Sequence, residues 1–241
     1  NKVSLETLEG EEWVADPLFT QNYKLNDDVL AVYASLNGKV STKGQFQFGL
    51  RAESTDMKMN TNQEDLFRLD FWSIFPSAFY SHQVNSKSSW QLSYGRRITR
   101  PGYIAVAPFV IFMDPFTYYW GNPKLKPAIS DGLHASYAYN DLLFTVRYNY
   151  DRNAIVRNQS RFSEEDRKTY IFTDNVDRLQ LYSIATSLPF AVTSWWKVNT
   201  NTLFTYQRIE HLYNDVSLSL EQFSVRVSAN QIFSLPANFT F

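Results

Sequence analysis

The sequence predicts an all-β protein, an antiparallel up-and-down sheet of roughly 10 strands forming part of a transmembrane β-barrel. Three observations carry that prediction. Apolar and polar residues alternate with a period of two along much of the chain, short and long connections take turns, and several alternating spans outrun the usual strand of a soluble domain. Helical periodicity is nowhere sustained.

Taken in order, FQFGLRAE sets Phe46, Phe48, Leu50 and Ala52 on one face against Gln47, Gly49, Arg51 and Glu53 on the other. WQLSYG opposes Trp90, Leu92 and Tyr94 to Gln91, Ser93 and Gly95. GLHASYAYN opposes Leu133, Ala135, Tyr137 and Tyr139 to Gly132, His134, Ser136 and Asn140, and LFTVRYNYD opposes Phe144, Val146, Tyr148 and Tyr150 to Thr145, Arg147, Asn149 and Asp151. Lys168 to Leu188 and Trp195 to Arg208 read as longer strands, and SVRVSAN closes the series with Val225, Val227 and Ala229 opposite Arg226, Ser228 and Asn230.

Short connections are expected at Gly38 to Lys43, Asn85 to Ser88, Asn140 to Asp141, Pro189 to Thr193 and Ser234 to Pro236. Long ones are expected at Thr55 to Leu66, Thr99 to Ala128, Arg152 to Lys168 and Ile209 to Asp215. One rim of tight turns and one of longer loops is the pattern of outer-membrane barrels. Alternation alone also fits a soluble β-sandwich or lipocalin-like barrel that binds a small apolar ligand, with its apolar parity turned inward. Strand length separates the two, because a membrane strand needs roughly 9 to 11 residues merely to cross.

Composition narrows the chemistry. With 23 basic and 24 acidic residues the formal net charge is -1, so no basic excess exists to neutralise phosphates and nucleic acid is not an expected partner. The chain has no cysteine, which removes disulfides and thiolate metal sites. The longest apolar run, Tyr103 to Met113, holds Pro108 and is too short for a spanning helix, which needs about 20 residues. His82, His134 and His211 lie far apart without metal-ligand spacing, and no nucleotide-binding or serine-hydrolase motif occurs. His134 and Ser136 share one polar parity, but a Ser-His pair needs an oriented third group and an oxyanion site as well. No metal, no cofactor and no catalytic residue is expected.

The stretch RRITRPGYIAVAPFVIFMDPFTYYWGNPKLKP, Arg96 to Pro127, combines five prolines with a dense aromatic block. Its ordered elements, RRITRPGY, APF, MDPFTY and GNPKLKP, closely resemble the segment that marks the TonB-dependent receptor-like outer-membrane β-barrel family of Gram-negative bacteria. Arg96, Arg97, Ile98, Arg100, Pro101 and Tyr103 match the end of a strand, Pro108, Phe109 and Asp114 the loop, and Gly121, Asn122, Pro123, Leu125, Lys126 and Pro127 the lead into the next strand. YKLNDDVLAVYASL and GLRAEST resemble two strands upstream.

The resemblance implies an extracellular loop joining neighbouring strands, and proline, which fixes φ without donating a hydrogen bond, suits such an excursion. It also implies a wide barrel of about 22 strands with an N-terminal plug that contacts TonB. Residues 1 to 241 are therefore expected to be a single barrel region, the middle or later portion of a longer receptor barrel, with the plug outside this chain. The implied function is transport and not catalysis: a receptor in the bacterial outer membrane that meets a nutrient at its outer loops and imports it with TonB-derived energy. Its partners would be outer-membrane lipid, the TonB system and a nutrient of unspecified class. Tyr103, Phe109, Phe116, Tyr118, Tyr119 and Trp120 are the candidate aromatic contacts. Phe144, Val146, Tyr148, Leu133 and Tyr137 would face lipid, and Arg147, Asn149, Arg51, Glu53 and Asn199 the lumen.

Overall fold

The computed structural model describes residues 2–3, 6–9, 12–15, 21–22, 24–60, 65–108, 110–213 and 216–234. Among these, fifteen strands and one helical turn follow in order. They are β1 (Lys2–Val3), β2 (Glu6–Glu9), β3 (Glu12–Ala15), β4 (Gln21–Asn22), β5 (Lys24–Lys39), β6 (Gly44–Asn60), β7 (Asp65–Asn85), β8 (Ser88–Thr99), α1 (Tyr103–Val106), β9 (Val110–Asp114), β10 (Thr117–Trp120), β11 (Ala128–Tyr139), β12 (Leu142–Ser163), β13 (Lys168–Ala191), β14 (Trp196–Tyr213) and β15 (Val216–Phe233). β1 pairs with β4, and β2 with β3, as separate two-stranded pieces.

An 11-stranded sheet dominates. Its path runs β15-β14-β13-β12-β11-β8-β7-β6-β5, antiparallel throughout, with β9 and β10 joined to it through β13. Each strand pairs with its neighbour in sequence except where β8 and β11 meet across the Arg96 to Pro127 segment, so the order is up and down, as alternation predicts. The sheet stays open: among the described residues, β5 and β15 are the ends of the path.

Three expected long connections are mostly strand. β6 runs to Asn60 because Thr55, Met57 and Met59 continue the alternation and are buried. β12 and β13 run to Ser163 and from Lys168, leaving a turn of residues 164–167 where Arg152 to Lys168 reads as a loop. β14 continues to Tyr213. Polar composition suggests loops at the last two places, yet strands standing clear of a membrane need no apolar parity. Of the short turns, Pro189 and Phe190 belong to β13, and the turn falls at residues 192–195. The expected turn at Ser234 to Pro236 lies outside the described residues beyond Ser234.

The compact core is small and sits at one rim. Met59, Val106, Ala107 and Leu125 are buried together, with Leu25, Leu66, Phe67, Tyr103, Ala105 and Ile111 against them. Most large apolar side chains are instead exposed along the wall, among them Leu30, Val32, Trp72, Ile74 and Val227. A soluble protein hides such residues, whereas a wall bathed in lipid displays them.

Candidate functional site

The register sorts the wall into two faces. Val146 lies opposite Ala135 and Ile184, and Phe144 opposite Tyr137 and Thr186, so one face carries apolar residues across neighbouring strands. The other face carries Arg147 beside His134 and Ser183, and Asn149 beside Gly132 and Leu181. A cavity of about 940 Å³ opens on this polar face, reached from Gln47 on β6 to Leu181 on β13 and lined by Arg97, His134, Arg147, Asn149 and Asp151. Residues of six strands converge on it, so the polar face is concave and the apolar face convex. This is the reverse of a soluble lipocalin-like barrel.

Aromatic rows bound the apolar band. On one side Tyr148, Tyr182 and Tyr206 stand in register on β12, β13 and β14, with ring centroids 4.7 and 5.9 Å apart. On the other, Tyr80 packs on Trp90 at 5.0 Å, and Trp196 stacks on Phe233 at 5.8 Å. Trp196 and Tyr206 share a face and lie ten residues apart on β14, about 33 Å along a strand and ~25 Å across once tilted as in barrels. That matches a lipid band with its two girdles.

Above the tyrosine girdle, the Arg96 to Pro127 segment folds into the mouth and is fastened on both sides. Arg100 donates to Glu53 Oε2 and to Thr55 Oγ1, both at 2.7 Å, on the concave side of β6. Glu53 also holds Arg51 at 3.0 Å, and only 8% of its side chain is exposed. Next, α1 lays Val106 and Ala107 against Met59. The far side is held by hydrogen bonds to β13: Asn122 Nδ2 donates to Asp174 Oδ1 at 3.2 Å and to the Thr173 carbonyl at 3.3 Å, while Asn175 Oδ1 accepts from the Lys126 amide at 2.7 Å. Asn175 Nδ2 returns a bond to the Lys126 carbonyl at 3.0 Å.

The matched motif residues therefore act as fasteners. Gly121 is buried, and a Cβ there would run into the Ala107 carbonyl. Asn122 caps its own turn, accepting from the Lys124 amide at 3.0 Å, and Asp114 accepts from the Phe116 amide at 2.8 Å. Pro101 and Leu125 are buried, Pro123 and Pro127 half-buried, and Lys126 exposed. Arg97 turns into the lumen cavity. Arg96 takes the convex side, bonded to Asp131 at 2.8 Å, where Arg152 and Tyr94 also converge.

The six candidate aromatic contacts separate. Tyr103 packs against the core under α1. Phe109 lies outside the described residues. Phe116 is 69% exposed at the tip of the β9–β10 turn. Tyr118, Tyr119 and Trp120 form β10 itself, paired in parallel with Tyr170, Ile171 and Phe172 of β13. Consecutive strand residues face opposite ways: Tyr119 meets Thr173 Oγ1 at 3.1 Å, while Tyr118 and Trp120 lie on the other side with Tyr170. The sequence reading missed Asp174 and Asn175, although three successive polar residues, Thr173 to Asn175, interrupt a strand and signal that it is held from the side.

In the turn of residues 164–167, Tyr170 donates a hydrogen bond to Asp166. That bond, with Ser163, the Lys168 amide and the Lys168 charge, holds the Asp166 carboxyl below its ordinary 3.8, and the same carboxylate pushes the Tyr170 hydroxyl above 10.0. Among the described residues, no group of three or more His, Cys, Asp and Glu side chains could hold a metal ion.

An apolar convex wall with two aromatic girdles, a polar concave face and a loop fastened in the mouth define a membrane β-barrel wall of the outer-membrane type. The chain belongs to the outer membrane protein beta-barrel family, whose profile matches residues 1–241, and its place is the bacterial outer membrane. Among solved structures, the copper transporter OprC superposes with a TM-score of 0.59 at 12% identity, over 98% of this chain and 44% of that one. At that identity the likeness is one of fold alone. The siderophore receptor PirA from Pseudomonas aeruginosa matches with a TM-score of 0.44 at 12% identity, over 90% of this chain and 52% of that one, too low a score to add an argument. The chain thus spans about half the length of these solved chains. No curated protein matches it in sequence.

Proposed function

We propose that this chain forms one barrel region of a longer outer-membrane receptor, which binds a nutrient at its outer loops and passes it through the lumen with energy from the TonB system, delivered through a plug domain. The observation that carries this reading is the polar lumen cavity of about 940 Å³ beneath a loop fastened on both sides of the mouth. A loop so held presents a fixed surface over the path inward, and rigid presentation is what a binding loop needs. The fold neighbour supports the class: OprC is a copper transporter. Within the loop, Phe116 at the exposed tip is the contact placed to meet the nutrient first, and Tyr103 and Tyr119 keep the loop in place. Arg97, His134 and Arg147 then line the way in.

The test is made in the native bacterium. Depletion of compounds from a defined medium is compared among the wild type, a strain without this protein and a strain without TonB. Uptake of the same compound should be lost in both deletion strains, and the full-length protein should restore it in the first. Unchanged uptake of every compound in the first strain would overturn transport, and loss there with normal uptake in the second would overturn TonB coupling. Phe116→Ala should weaken uptake with the barrel still assembled.

A further inference from the structure

The β12–β13 hairpin continues far beyond the tyrosine girdle, and its outward side carries an unassigned pocket. From Tyr182 to Phe172 β13 advances ten residues, about 33 Å along the strand and ~25 Å above the girdle after tilt. Lys168, Tyr170 and Phe172 share the parity of lipid-facing Tyr182, so they point away from the lumen. β10 lies alongside in register, Tyr118 beside Tyr170 and Trp120 beside Phe172. A bulge completes the face. Pairing steps from Val156 opposite Asp174 to Gln159 opposite Phe172, and Asn158 adopts φ 57° there. The extra residue reverses the parity of β12 and brings Arg161 outward, opposite Tyr170.

The result is an aromatic floor with cations around it. The Tyr170 ring lies 6.0 Å from Tyr118 and 6.2 Å from Trp120, and Phe112 meets Tyr118 edge-on at 5.8 Å. The Arg161 guanidinium stands 5.7 Å over Phe172, and Lys168 Nζ 4.7 Å over Tyr118. A cavity of about 420 Å³ opens among Trp120, Asn122, Lys124, Arg161, Tyr170 and Phe172.

We propose that this pocket holds the phosphorylated core oligosaccharide of lipopolysaccharide from the surrounding outer leaflet. Position comes first: the pocket is continuous with the lipid-facing side of the wall, and it lies above the band where acyl chains end. A nutrient bound for the lumen passes on the opposite face. Chemistry agrees, since the C–H faces of sugar rings stack on Trp120 and Tyr170, and core phosphates take charge-assisted bonds from Arg161 and Lys124, the two cations that line the cavity. The inference needs only the outer-membrane orientation of the wall, so it stands or falls apart from nutrient import.

Deacylated, phosphorylated core oligosaccharide is titrated calorimetrically into the full-length protein, purified in detergent and freed of lipopolysaccharide. It should bind, and both Trp120→Ala and Arg161→Gln should weaken it about tenfold or more. Dephosphorylated core should bind comparably more weakly to the wild type. Folding of each variant is checked by its heat-dependent migration in gels; should Trp120→Ala fail, Trp120→Phe replaces it, should Arg161→Gln fail, Arg161→Lys replaces it, and the replacement should still bind more weakly than the wild type. No binding to the wild type, equal affinity for folded variants, or indifference to phosphate would each overturn the proposal.

Discussion

Glu53 shows at the scale of one residue how the mouth is held. Two arginines satisfy it, Arg51 along its own strand and Arg100 from the loop. Its side chain is nearly buried, so removing one partner leaves a charge without full compensation, the situation in which breaking a pair is far costlier than the pair is worth. Arg100→Leu should therefore free the loop, seen as rapid protease cleavage between Pro101 and Pro127 in the assembled protein, with a loss of about 3 kcal/mol at most, since Arg100 is itself 22% exposed. Gly121→Ala should act in the same direction by about 1–3 kcal/mol, through the Ala107 carbonyl. Arg100 and Glu53 both stand out in the sequence by resemblance, yet nothing in their spacing says that they meet. That contact depends on a loop crossing the lumen. Asp166 offers a check by pH. Its folded value lies below its ordinary 3.8, so the stabilisation it gives the turn is complete above 3.8 and is lost as pH falls through the lower, folded value. The protection of the Lys168 and Thr169 amides, taken as their exchange rate relative to that of a free amide at the same pH, should be unchanged from neutral pH down to about 5 and should fall only below 3.8. Asp166→Asn should remove that acid response.

At the scale of the strand, period-two alternation was enough to read most of the wall, because each pleat exposes its side chains to one of two different solvents. It failed where both faces meet water, as in β12 beyond Arg152, and where pairing is not local. The parallel ladder of β10 on β13 joins Thr117 to Thr169, and the prolines around β9 and β10 argued against strands there. The bulge at Asn158 was also invisible, since Asn in the left-handed region is compatible with many turns. The two faces make a paired prediction. Val146→Arg places a charge in the lipid band and should destabilise the wall by about 2–4 kcal/mol, read as loss of the heat-modifiable folded band. Asn149→Leu, on the concave face, should leave that band intact. Equal damage from both would mean that the faces do not meet different solvents.

At the scale of the whole molecule, the sheet path ends in two strands with one unpaired edge each among the described residues, β5 and β15. Hydrocarbon offers no partner for their N–H and C=O groups, and each unsatisfied group costs several kcal/mol. Expressed and refolded by itself in detergent, the 241-residue chain should therefore run as oligomers in size-exclusion chromatography, whereas the same residues within the full-length protein should sit in a closed monomeric barrel. A monodisperse monomer of 28.1 kDa plus its detergent would show that the edges find each other. The up-and-down order was legible because each hairpin is a local event; the closure of the wall was not, since no local pattern records it.

The loop is fastened to β6 at one end and to β13 at the other, and between them lie β7, β8, β11 and β12. Geometrically it is a chord drawn across an arc, and a chord of fixed length sets the radius of the arc it subtends. The chord is tied more than once, because β9 pairs with β10, the Asn122 amide donates to the Ala105 carbonyl and Leu125 packs with Val106 and Met59, so one cut between Pro115 and Phe116 would leave both the nine-stranded path and the brace in place. The curvature of the wall from β6 to β13 is thus braced by a segment that stands clear of the lipid band.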